Sequence, residues 1–134
     1  MASAIDRWIS KAERGGSAKP DFHESVKITK VNIINAALEY PKPVRIAVTG
    51  GAGIERISQF CKEIKAVLNA EEKESYYFIP AGDINTSAKA LEILAGCDAA
   101  ILAERLYKSD TDAVGRSISA IENLGKKTLG FVMI

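Results

Sequence analysis

Residues 44–53, VRIAVTGGAG, constrain this chain more than any other stretch. Val44, Ile46, Ala47 and Val48 carry the β-branched, apolar bias of a buried strand. Thr49 follows, and Gly50, Gly51 and Gly53 permit a tight turn with exposed backbone amides. A helical stripe begins at once with Ile54, Ile57, Phe60, Cys61, Ile64, Val67 and Leu68. A strand, a glycine turn and a helix form the entrance to many nucleotide sites, because the first amides and the dipole of the helix favour phosphate.

The remaining chain repeats the alternation. Residues 21–40 carry Phe22, Val26, Val31, Ile34, Ala37 and Leu38 at near-helical spacing, with Asp21 as cap and Pro41 and Pro43 as terminators. The first strand and its helix extend to about residue 69. Residues 71–74, EEKE, read as a solvated charged loop. A second strand is expected at 76–80, YYFIP, with residues 80–83 turning away from the sheet. A short helix follows from Ser87 to Ala95, stopped by Gly96. A third strand, DAAILAERL, occupies residues 98–106. Ser109 or Asp110 caps a helix carrying Val114, Ile118, Ile121 and Leu124, and after Gly125 comes a last strand, TLGFVMI. This order specifies an α/β fold: three layers, a mostly parallel sheet of four or more strands, and helices on both faces, P-loop or Rossmann-like. Residues 22–134 form that domain. Residues 1–21 are a separate N-terminal helix and linker, with Ile5, Trp8, Ile9 and Ala12 on one stripe, Trp8 as an anchor onto the parent body, and RGGSAKP as the connection.

Composition narrows the function classes. A 134-residue chain that is 47% hydrophobic builds a core. Its net charge of +1 provides no whole-chain attraction to nucleic acid or an anionic membrane. No apolar run reaches the ~20 residues of a membrane span. Cys61 and Cys97 stand in apolar surroundings and read as buried free thiols.

Ligands of such sheets bind beyond the carboxyl ends of the strands, which selects loops 49–55, 80–86 and 104–112. The phosphate or anion candidates there are Thr49, Gly50, Gly51, Gly53 and Arg56. A working phosphate loop also needs a lysine for the β- and γ-phosphates and a hydroxyl for magnesium. This turn has no lysine, and Ile57 stands where the hydroxyl belongs. A G-x-G-x-x-G reading ends at Arg56 instead of the third glycine. The turn therefore reads as structural, with ATP and magnesium disfavoured. Asp83 reads as a turn residue or cap. Glu104, Arg105, Lys108, Asp110 and Asp112 read as a solvated loop. His23, the only histidine, lies away from this face, leaving no base for a nucleophile unit. No catalytic and no metal-ligating residue is assigned.

Residues 22–53 resemble the entry helix and first strand of the bacterial tyrosine kinases of capsule and exopolysaccharide synthesis. Residues 97–134 resemble their closing unit, with the strand opening at Asp98, the Lys108-Ser109 step into a helix, and Leu129-Gly130-Phe131-Val132. The phosphate-loop lysine and the aspartate that ends the second strand in those kinases are absent. What remains is similar to the degenerate cytosolic domain of some chain-length determinant (polysaccharide co-polymerase) proteins. The resemblance implies a cytoplasmic, non-catalytic interaction or regulatory domain in polysaccharide biosynthesis. Its partner would be a kinase or a second copy, with no nucleic acid, no membrane contact in this chain, and a parent that is membrane-anchored. The alternative is a small nucleotide-binding enzyme or sensor that uses the turn at Gly50, Gly51 and Gly53 with Arg56 as counter-charge.

Overall fold

The computed structural model describes residues 22–105 and 111–134, with the side chains of residues 22–25 outside the description. The expected N-terminal helix and linker, Trp8, the Asp21 cap, the side chain of His23, and Lys108, Ser109 and Asp110 all lie outside the described residues or side chains. Among the described residues there are five helices and four strands, with two helices in succession between the first and second strands. They are α1 (Phe22–Ala36), β1 (Val44–Thr49), α2 (Ile54–Ala66), α3 (Ala70–Ser75), β2 (Tyr76–Gly82), α4 (Ala88–Ala95), β3 (Ala99–Glu104), α5 (Thr111–Asn123) and β4 (Lys127–Met133).

All three strand pairings are parallel, and the sheet order is β2-β1-β3-β4. The central strands are the apolar ones. β3 is buried along its whole length, and β1 everywhere except Arg45. The edge strands β2 and β4 carry mostly half-buried residues. Each face of the sheet has its own core. On one face, α1 and α2 bring Val26, Ile33, Ile57, Phe60 and Ile64 against Val44, Ile46, Val48 and Ile101. On the other, α4 and α5 bring Ala90, Leu94, Val114 and Ile121 against Ala47, Ala100 and Leu102. The three-layer α/β reading is the observed architecture. The two faces of β1 alternate residue by residue, Val48 to the first core and Ala47 to the second.

Two local expectations need correction. Residues 71–74 are not a loop but part of α3. Asn69 caps it, accepting the Glu72 amide at 2.8 Å while the Glu72 carboxylate accepts the Asn69 amide at 3.0 Å. This reciprocal N-x-x-E box was written in the sequence. The Lys30 ammonium ties α1 to the same corner through the Glu72 carboxylate at 2.9 Å and the Val67 carbonyl at 3.0 Å.

The second correction concerns residues 80–83. The strand does not leave the sheet at Pro80 but continues to Gly82. β2 is an edge strand, and its register against β1 slips by one residue between Pro80 and Gly82, a bulge. An edge position and a bulge are the two places where a sheet accepts the missing proline N–H. At the opposite, amino edge of the sheet, Asp98 joins β1 to β3. Its carboxylate accepts the Arg45 amide at 2.8 Å, and its own amide donates to the Arg45 carbonyl at 2.8 Å.

Phe60 is fully buried in the first core. Phe60→Ala should lower unfolding stability by about 3–5 kcal/mol in urea titrations. A loss under ~1 kcal/mol would mean that α2 does not pack on the sheet as described.

Candidate functional site

In this strand order the chain passes from β1 outward to β2, then returns to the other side of β1 as β3. The reversal opens a crevice at the carboxyl ends of β1 and β3, where open parallel sheets bind ligands. All five candidate residues lie on or next to the turn that enters this crevice, between β1 and the first turn of α2.

Thr49, the last residue of β1, is fully buried. Its hydroxyl donates to the Gly82 carbonyl and accepts the Ile84 amide at 3.2 Å, fastening the ends of β1 and β2. Gly50 follows with φ of 133°, a conformation that disfavours any side chain. A Cβ there would stand 2.2 Å from the Ala103 carbonyl oxygen, so the turn lies directly against the backbone of β3. That contact continues in the Ala52 amide, which donates to the same Ala103 carbonyl at 3.1 Å.

Gly51 presents its amide toward the crevice, and a group of this chain already receives it. The Glu104 carboxyl oxygen Oε2 accepts it at 3.0 Å. Gly53, with φ of 93°, is the N-cap of α2 and makes no side-chain cap. Arg56 lies in the first turn of α2 and is exposed. Its Nη1 donates to the Ile134 carbonyl at 2.9 Å, just past β4.

Glu104 corrects the expectation of a solvated loop. It is the last residue of β3 and only 7% exposed. Its backbone carbonyl accepts the Ile134 amide at 2.8 Å. Burial pushes its carboxyl above the ordinary glutamate range; the Gly51 hydrogen bond opposes that rise, and the charge of Asp83 adds to it. Asp83 is the turn residue anticipated. Its carboxylate accepts the Asn85 amide at 2.9 Å, and its carbonyl accepts the amides of Thr86 and Ser87. The Asn85 side chain, not singled out from sequence, donates to Ser117 Oγ at 2.8 Å and the Ala113 carbonyl at 3.1 Å, holding this loop against α5.

In the sequence Glu104 stands within the expected strand 98–106 and at the head of the charged residues that follow, and neither position marks it as buried. No sequence spacing links it to a glycine 53 positions earlier. Burial pushes the Cys61 thiol up to about 12 and also raises Cys97, and both cysteines are free and buried. Neither is a ready nucleophile. Among the described residues, no three histidine, cysteine, aspartate or glutamate side chains form a metal-sized group.

No protein-family model matches the chain, and neither a curated protein nor a solved structure is significantly similar to it.

Two tests follow from this geometry. Gly50→Ala places a methyl against the Ala103 carbonyl at positive φ and should cost about 1–3 kcal/mol or more in chemical denaturation; a neutral result would contradict the close approach. Glu104 holds its proton more tightly folded than unfolded. Its contribution to stability is thus complete below the ordinary glutamate value of about 4.3 and is lost as pH rises through the higher folded value. Glu104→Gln does not titrate there and should show a smaller fall in stability over that window than the parent chain. Superimposable pH profiles would contradict the buried carboxyl.

Proposed function

We propose that this chain is a non-catalytic docking domain of bacterial capsule or exopolysaccharide synthesis, a kinase-like scaffold whose phosphate turn serves as structure. The single observation that supports this reading is the acceptance of the Gly51 amide by Glu104. In a phosphate loop, amides of this turn face the ligand's oxygens. Here one amide holds a carboxyl of the same chain, another holds a main-chain carbonyl, and the guanidinium of Arg56 is engaged at Ile134.

An entering phosphate would also meet Glu104 and Asp83, groups of its own charge, with no lysine in the turn to offset them. The link to polysaccharide synthesis rests on the residues in the entry and closing units that resemble those kinases. The partner in this reading is a protein, an active kinase or a second copy, and the setting is the cytoplasm. No helix among the described residues is long and apolar enough to cross a membrane. The competing reading, a nucleotide sensor, would have to displace Glu104 from the Gly51 amide.

The test is the melting temperature with ATP, ADP or a dinucleotide, each with magnesium. A specific ligand at ~100 times its Kd would add about 2.7 kcal/mol. The docking reading predicts no shift with any of them. A clear upward shift that Arg56→Ala abolishes would overturn it in favour of the sensor.

A further inference from the structure

We draw no further inference here: the strongest candidate, the exposed apolar line of Ile28, Val31 and Leu38 along the outer side of α1 and the turn after it, carries nothing because no feature among the described residues shows what covers it.

Discussion

The approach of the β1 turn to the last residues of β3 is the contact on which the rest of the carboxyl edge depends. Gly50 has no side chain to hold the strands apart, and its backbone lies against the Ala103 carbonyl. This proximity brings the Ala52 amide to Ala103 and the Gly51 amide to Glu104. On the other side of β1, Thr49 performs the same task toward β2 through Gly82 and Ile84. The ends of β2, β1 and β3 are thus laced together by the Thr49 hydroxyl, the amides of Gly51, Ala52 and Ile84, and the Glu104 carboxyl.

In the proposed docking reading, the same geometry gives the Gly51 amide an acceptor from within the chain. Amides that converge at a helix start favour an acceptor of negative charge. Glu104 supplies one from within the chain, and its burial raises the energy of its charged form. Asp83 adds to that penalty from the β2 side. In that reading a phosphate competes with the Glu104 carboxyl for the Gly51 amide. A triphosphate site overcomes such repulsion with lysine and a divalent cation, and the turn carries no lysine. The arrangement consequently reads as a closed joint in the fold.

Much of the fold was legible in local patterns. Continuous apolar runs at β1 and β3 marked strands covered on both faces, and the 3.6-residue stripes of α2 and α5 marked helices that pack on a sheet. Where the reading failed, a local signal competed with another or with the tertiary structure. The charge of residues 71–74 outweighed the Asn69–Glu72 capping pair. Pro80 marks a strand end by its own chemistry, and its tolerance inside β2 depends on β2 lying at an edge, which only the assembled sheet shows. The candidate anion residues were found as a cluster because they are contiguous in the chain. The groups that accept from them were not, since Glu104 and Ile134 reach the turn only through parallel pairing across the switch point. A missing lysine can be read from sequence; an amide filled by a distant carboxyl cannot.

The state of the Gly51 amide tests this picture most directly. Its proton resonance in amide-resolved NMR should titrate with the Glu104 carboxyl, with a midpoint above the ordinary glutamate range, and Glu104→Gln should abolish that titration. Adding ATP with magnesium should leave the resonance where it was. A Gly51 amide indifferent to the Glu104 titration but displaced by the nucleotide would contradict a turn filled from within.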